Sequence, residues 1–323
     1  MTRILYIGGS GEISHACVAA SVLLGHEVSV FNRGSKINSL PESVELLQGD
    51  LRSAAPYAVL QNREFDVVCQ FLAFDTAAIK RDIETFQGRC KQYIFISTAS
   101  VYQKPLSNHV IREDTPLGNP FWEYSQKKAA CESLLTDSNL PVTIVRPSHT
   151  YRTRLPSTII DGDHQAWRIK NDMPIIVHGD GQSLWTLTHA DDFAAAFAQL
   201  CGNPAALGQT FHITNSRAHT WDAIIANVGI ALNKPLKVVH VASDKLIKYE
   251  PNWEGPLLGD KSNSVVFDNQ RVIDAIGGWQ CAIGLVEGLQ RATTFVEARL
   301  QHYTPNPETE ALVNRIVERE SRL

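Results

Sequence analysis

The feature that most constrains this chain is a glycine-rich turn between an apolar run and an amphipathic one. Arg3-Ile4-Leu5-Tyr6-Ile7 is β-rich, Gly8-Gly9-Ser10-Gly11-Glu12-Ile13-Ser14 follows directly, and Ile13, Ala16, Cys17, Ala20, Leu23 and Leu24 then recur at helical spacing until Gly25. Strand, tight turn and helix, followed by a second β-rich run at 28–31, make a βαβ unit. Glycines at such a turn let the backbone approach a pyrophosphate, and the helix N-terminus offers it unpaired N–H groups and a favourable dipole. Gly8, Gly9, Ser10, Gly11, Glu12 and Ile13 are therefore expected to hold a dinucleotide, with the small Ser14 standing where a third glycine is usual.

Further strands are expected at 44–47, 66–72, 92–97 and 142–146, alternating with helical stretches, which predicts a parallel sheet covered on both faces. After Pro147 the regularity falls and Gly, Pro, Asp and Trp become frequent. The expected architecture is a Rossmann-type doubly wound α/β sheet with a smaller, discontinuous C-terminal substrate domain. Residues 1–150 and 187–215 would form the dinucleotide-binding part, and 151–186 and 216–323 the substrate part. Ala190 to Leu200 reads as a helix and 209–213 as a strand, both returning to the main sheet, and the tail from Pro307 reads as a solvated amphipathic helix.

The net charge of -4 gives no general attraction to nucleic acid or anionic membrane. The N-terminus lacks the apolar stretch of a signal peptide and no run reaches membrane-spanning length, so a cytoplasmic protein is expected. Six scattered cysteines show no metal spacing, and no metal site is expected.

A carboxylate for the ribose 2'-hydroxyl of NAD would stand at the end of the second strand, where this chain has Asn32-Arg33. Asn32, with Arg33 and Lys36 as charge-assisted partners for a 2'-phosphate, favours NADP over NAD. Tyr124 and Lys128, four apart on an expected helix, share a face. An ammonium beside a phenol lowers its pKa, so Tyr124 could exchange a proton with a substrate hydroxyl. Ser97-Thr98-Ala99-Ser100 lies at the C-terminal end of an apolar strand, where open α/β sheets place ligands, and its hydroxyls can orient the same substrate oxygen.

These residues together resemble the extended short-chain dehydrogenase/reductases, the NAD-dependent epimerase/dehydratase family, and in the first half their atypical branch, which includes chloroplast stem-loop RNA-binding proteins. The resemblance includes Gly49-Asp50-Leu51, Phe71-Leu72-Ala73, Arg146-Pro147-Ser148-His149-Thr150-Tyr151 and His189-Ala190-Asp191-Asp192. It implies Thr98, Tyr124 and Lys128 as the catalytic set, Asp50 and Leu51 near adenine, Phe71, Leu72 and Ala73 along the cofactor channel, and Pro147 and Ser148 at the nicotinamide. It also implies a homodimer formed through the helix bearing Tyr124. Ser100, His149, Arg152 and Trp185 are candidates to meet the substrate. Ala99-Ser100 stands where sugar 4,6-dehydratases carry Asp-Glu, which counts against water elimination. The arginines that clamp a nucleotide diphosphate in UDP-sugar epimerases have no counterpart near Leu184 to Thr188 or Gly255 to Val266. The reading is an NAD(P)-dependent oxidoreductase acting on a secondary alcohol or ketone of a sugar-like small molecule, as reductase/dehydrogenase or as epimerase. A non-catalytic dinucleotide-sensing or RNA-binding protein on the same fold is the alternative.

Overall fold

Seven parallel strands form the centre of the computed structural model, which describes residues 1–34, 40–53 and 55–321. They are β1 (Arg3–Ile7), β2 (Glu27–Asn32), β3 (Glu45–Gln48), β4 (Val67–Gln70), β5 (Gln92–Ile96), β6 (Val142–Arg146) and β7 (Thr210–His212). Their order across the sheet is β7-β6-β5-β4-β1-β2-β3. The chain winds outward from β1 in one direction and restarts at β4 on the other side, so the connections leaving β1 and β4 diverge at the strands' C-terminal ends. A doubly wound sheet opens its ligand crevice at such a point.

Both faces of these strands are buried, which is why they read as unbroken apolar runs. Along β1 the pleat sends Ile4 and Tyr6 to one side, with Cys17, Val18, Phe193 and Phe197, and Leu5 and Ile7 to the other, with Val68, Phe95, Cys131 and Leu135. The first face is covered by α1 (Glu12–Leu23) and α5 (Ala190–Leu200), the second by α2 (Thr76–Phe86) and α3 (Glu123–Thr136). Asp82 of α2 is fully buried and accepts hydrogen bonds from the Tyr57 and Tyr93 hydroxyls, both at 2.6 Å, and from the Gln70 amide. The Gln70 carbonyl accepts in turn from Leu72 N–H at 2.7 Å, fixing the chain as it leaves β4. Burial raises the Asp82 pKa against these donors.

A separate apolar cluster joins Tyr102, Tyr151, Leu155, Trp185, Trp221, Ile224 and Leu289 around α4 (Gly162–Lys170), α6 (Trp221–Ala231) and α7 (Leu285–Leu300). The 190–200 helix and the strand at 210–212 lie on the main sheet, with Thr210 opposite Ile144. The C-terminal helix α8 (Pro307–Glu320) corrects one expectation. It is amphipathic but not merely solvated, because Val313 and Ile316 are buried against Ile176, Val241, Leu246 and Leu257. Arg168 and His164 of α4 also meet its Glu310, at 2.6 and 2.7 Å. Among the described residues no helix is long and apolar enough to cross a membrane, and no group of His, Cys, Asp and Glu is placed to hold a metal ion.

Candidate active site

The crevice between the diverging connections is a cavity of about 950 Å³ running across the C-terminal ends of the strands. At its centre is the glycine turn. Gly8 has φ +84, and a Cβ there would fall 2.6 Å from Leu72 Cγ; one on Gly9 would fall 2.7 Å from a Val30 methyl. Only glycine lets the turn sit this close to the sheet. Gly8, Ser10, Gly11, Glu12 and Ile13 line the cavity, whereas Gly9 is packed beneath the turn. Ser14 takes the third glycine's place without opening the contact. It is buried, and its hydroxyl accepts from Gly11 N–H at 3.0 Å, capping α1. The Glu12 carboxylate is turned away into the loop after Tyr151, where Thr153 N–H (2.8 Å), Arg152 N–H (3.1 Å) and the Thr153 hydroxyl all donate to it. Burial works to raise its pKa, and these donors hold it lower than usual.

At one end of the crevice lie Phe31, Asn32, Arg33, Gly49, Asp50, Leu51 and Arg52. Asn32 Oδ1 accepts from Gly34 N–H at 2.7 Å, and its Nδ2 is buried without a partner. Asp50 is not free: Arg52 donates to it from its backbone N–H at 2.9 Å and from two guanidinium nitrogens at 2.8 and 3.1 Å, holding the carboxyl down to about 2. Lys36 lies outside the described residues.

At the other end the crevice is walled by Phe71, Leu72, Phe74, Ile96, Ser97, Thr98, Tyr124, Lys128, Pro147, Ser148 and His149. Ala73 stands behind this wall, where its carbonyl accepts from Lys128 Nζ at 2.8 Å. The same ammonium donates to Ile96 O at 2.7 Å and sits 4.8 and 4.7 Å from the Phe74 and Phe95 ring centres. Burial pulls the Lys128 pKa down to about 8. The hydroxyls beside it are chained: Thr98 Oγ1 lies 2.9 Å from Ser100 Oγ, and Ser125 of α3 donates to Ser100 at 2.9 Å. Burial raises the Tyr124 pKa, the Thr98 hydroxyl lowers it, and Asp260 adds to the rise. Lys128 is not among the groups that move it, so the lowering expected from its ammonium is not seen at Tyr124.

A second cavity of about 370 Å³ opens from this end, sharing Thr98, Tyr124, Pro147, Ser148 and His149 and adding Ser100, Trp122, Trp185, Asp260, Lys261, Val265 and Phe267. His149 Nδ1 accepts from the Trp185 indole N–H at 3.1 Å, and burial holds this imidazole near about 3. It is therefore neutral, with its Nε2–H free to donate.

Sequence reasoning thus brought together Thr98, Tyr124, Lys128, Ser100, His149 and Trp185. Arg152 does not join them: it lines neither cavity and is tied through its backbone to Glu12. Sequence reasoning missed Arg52, Phe74, Trp122, Asp260 and Lys261. Arg52, two residues past Asp50 in a cleft loop, had a local signal; the last two come from a short π-helical turn, Leu257–Lys261, and had none. A further groove of about 610 Å³, lined by Arg3, Asp66, Arg89 and Lys91, lies at the opposite end of the strands and contains none of these groups.

Three comparisons place this geometry. Residues 84–214 match the model of the NAD dependent epimerase/dehydratase family. A 2'-dehydrokanamycin reductase from Streptomyces kanamyceticus is 27% identical over 252 residues, covering 75% of this chain and 70% of the relative, and the chloroplast stem-loop binding protein of 41 kDa b from Arabidopsis thaliana is 24% identical over 309 residues, covering 89% and 77%. The crystal structure of UDP-glucose 4-epimerase from Thermus thermophilus in complex with NAD has the same fold, with a TM-score of 0.73 over 92% of this chain and 99% of that one, at 20% identity. A glycine turn opening a crevice in a seven-stranded parallel sheet, with Tyr124 and Lys128 at its inner end, thus occurs in a chain whose residues 84–214 match the NAD dependent epimerase/dehydratase family and whose fold is that of the solved epimerase.

Proposed function

We propose that this protein is an NAD(P)-dependent oxidoreductase that interconverts a secondary alcohol and a ketone on a sugar-like small molecule. One observation carries the reading. Thr98, Tyr124 and Lys128 line one end of a crevice that runs from the Asn32 and Asp50 loops, and Thr98 and Tyr124 also line the second, smaller cavity. The crevice suits a dinucleotide because Gly8 leaves no room for a side chain between turn and Leu72, and because Asn32 Nδ2 lacks a partner. Gly8, Ser10, Gly11 and Ile13 would hold the pyrophosphate, Asn32 and Arg33 the adenosine ribose, and Leu51 the adenine. Leu72, Pro147 and Ser148 would flank the nicotinamide. Residues 1–150 and 187–215 would serve the cofactor, and 151–186 and 216–323 the substrate.

The nicotinamide, when bound, supplies or accepts the hydride. Tyr124 gives its hydroxyl proton to a ketone oxygen or takes one from an alcohol, at the mouth between the two cavities. Burial raises its pKa, so Lys128 would matter as a fixed cation that opposes this rise once water is excluded. The two carbonyls on its ammonium keep that charge in place. Thr98, held by Ser100, orients the reacting oxygen, and His149 can donate a second hydrogen bond to the substrate. Asn32 and Arg33 at the ribose end favour NADP, which leans the protein toward reductase or dehydrogenase turnover rather than an epimerase with retained NAD. A homodimer formed through α3 and a cytoplasmic location complete the proposal.

Mass analysis of any dinucleotide released on denaturing fresh protein separates the two cycles, since a retained cofactor points to epimerisation. Tyr124→Phe should lower turnover by about 100-fold or more while NADP affinity is kept; undiminished turnover overturns the mechanism. A second reading, RNA binding, is favoured only by the relative named as a stem-loop binding protein. Filter binding to structured RNA across a salt series tests it, and tight binding with a steep salt slope would support it.

A further inference from the structure

The smaller cavity carries two charged groups that the mechanism above does not use. Asp260 and Lys261 end a short π-helical segment, Leu257–Lys261, and both line the same space as Thr98, Tyr124, His149 and Trp185. Their backbone is firmly seated. Asn119 donates to Gly259 O at 2.7 Å and to Ser100 O at 2.8 Å, linking the segment to the hydroxyl chain. The Lys261 carbonyl accepts from Ser183 Oγ and from His178 Nε2, each at 2.9 Å. A Cβ on Gly255 would fall 2.3 Å from the Trp122 indole, so the approach to this segment rests directly on a wall of the cavity. The side chains are another matter. Among the described residues neither the Asp260 carboxylate nor the Lys261 ammonium makes a hydrogen bond or an ion pair.

Resting on the proposed reading of this site, we infer that Asp260 and Lys261 are paired hydroxyl-binding groups, and that the substrate is an uncharged polyhydroxylated ring rather than a nucleotide diphosphate sugar. The argument is one of complementarity. A carboxylate only accepts hydrogen bonds and an ammonium only donates them, whereas a hydroxyl does both. An amine on the substrate would satisfy Asp260 but bring a like charge to Lys261; a carboxylate or phosphate would do the reverse. Neighbouring hydroxyls satisfy both groups with charge-assisted bonds. Trp122, Trp185, Val265 and Phe267 supply apolar walls for the C–H faces of a ring. Among the described residues no arginine lines this cavity, so a diphosphate would find no bidentate partner there and would face Asp260. The cavity's size of about 370 Å³ lies at the small end of ligand pockets.

The electrostatics agree. Burial pushes the Asp260 carboxyl up to about 6, against the pull of Lys261 and of Lys104, whose ammonium is itself buried without a partner. Burial lowers the Lys261 pKa, and Asp260 opposes this. Hydroxyl ligands would restore the bonds whose absence destabilises both charged forms.

The test uses protein loaded with NADP, and saturation-transfer NMR with methyl glucopyranoside and myo-inositol as probes against UDP-glucose. The expected result is saturable binding of at least one uncharged probe, more tightly than UDP-glucose. Asp260→Asn and Lys261→Met should each weaken it by about tenfold or more, the loss of one charge-assisted bond, with NADP affinity unchanged as the check that the fold is intact. Tighter binding of UDP-glucose, no saturable binding of either uncharged probe, or variants that bind them as the wild type does would each overturn the inference. Tyr124→Phe separates the two claims. If that variant keeps full turnover while the Asp260 and Lys261 effects hold, the redox mechanism fails and the hydroxyl-binding pair stands.

Discussion

Removing the Glu132 carboxylate should cost this protein a large part of its stability and shift the helix that carries Tyr124 and Lys128. Glu132 lies one turn past Lys128 on α3 and accepts three bonds from Arg146 of β6: Nη2 at 2.6 Å and Nε at 3.0 and 3.2 Å. The two side chains are 4% and 6% exposed, so this is a buried pair and not a surface one. Burial alone would lower the Arg146 pKa, but the carboxylate more than reverses that. In Glu132→Gln the guanidinium keeps the Tyr102 hydroxyl and the Glu113 carbonyl, each at 2.9 Å, but loses its counter-charge. Breaking a buried pair in this way costs about 3–5 kcal/mol, against a typical total stability of about 5–15 kcal/mol. Urea unfolding followed by far-UV circular dichroism at pH 7 would measure the loss. The double variant Glu132→Leu with Arg146→Met should recover most of it, because replacing both charges removes the desolvation penalty. A single-variant loss under about 1 kcal/mol, the worth of an exposed pair, would refute the reasoning. So would a double variant no more stable than the single one. Because the pair ties α3 to β6, turnover of Glu132→Gln should also fall more than its NADP affinity does.

Two further outcomes follow from the geometry. Arg33→Ala should weaken NADPH binding by about tenfold or more while leaving NADH within about twofold, as read by nicotinamide fluorescence titration; equal losses for both would remove Arg33 from 2'-phosphate recognition. His178 and His212 are depressed to about 4 and about 3, chiefly by burial. Below an unfolded pKa near 6.5 the unfolded chain therefore binds protons that the folded one refuses, and stability falls as pH drops from about 6.5 toward 4. Asp260, raised to about 6, opposes this between about pH 6 and 4. With His149, held at about 3 in the same way, added to these two histidines, the net loss from pH 7 to 5 should be about 4 kcal/mol, visible in urea midpoints, with imidazole nitrogen shifts showing all three histidines neutral at pH 5; protonated imidazoles there would refute it. The tautomer of His212 is set by its partners. Its Nδ1–H donates to Asp268 O at 3.1 Å and its Nε2 accepts from the Tyr102 hydroxyl.

By itself the sequence determined what local period and local geometry encode. Strands buried on both faces must be continuous apolar runs, so β1, β4, β5 and β6 were readable within two residues or so at their ends, and α1 was readable from its apolar spacing to Gly25. The turn at Gly8 is legible because φ +84 beside a packed leucine admits only glycine. Tyr124 and Lys128 share a helix, and Thr98 ends a strand, so their neighbourhood at the crevice follows from where an open sheet places its strand ends. The tertiary structure decided what depends on which distant surfaces meet. It tied Arg152 through its backbone to Glu12 at the α1 terminus and left it out of both cavities, and occupied Asp50 with Arg52. It also buried one face of the tail helix on the 176 and 241 strands. Asp260 and Lys261 are the clearest case. A five-residue π-helical turn is too short to show a period in the sequence, and only its docking against Asn119 and Trp122 brings a carboxylate and an ammonium into the cavity that Tyr124 lines.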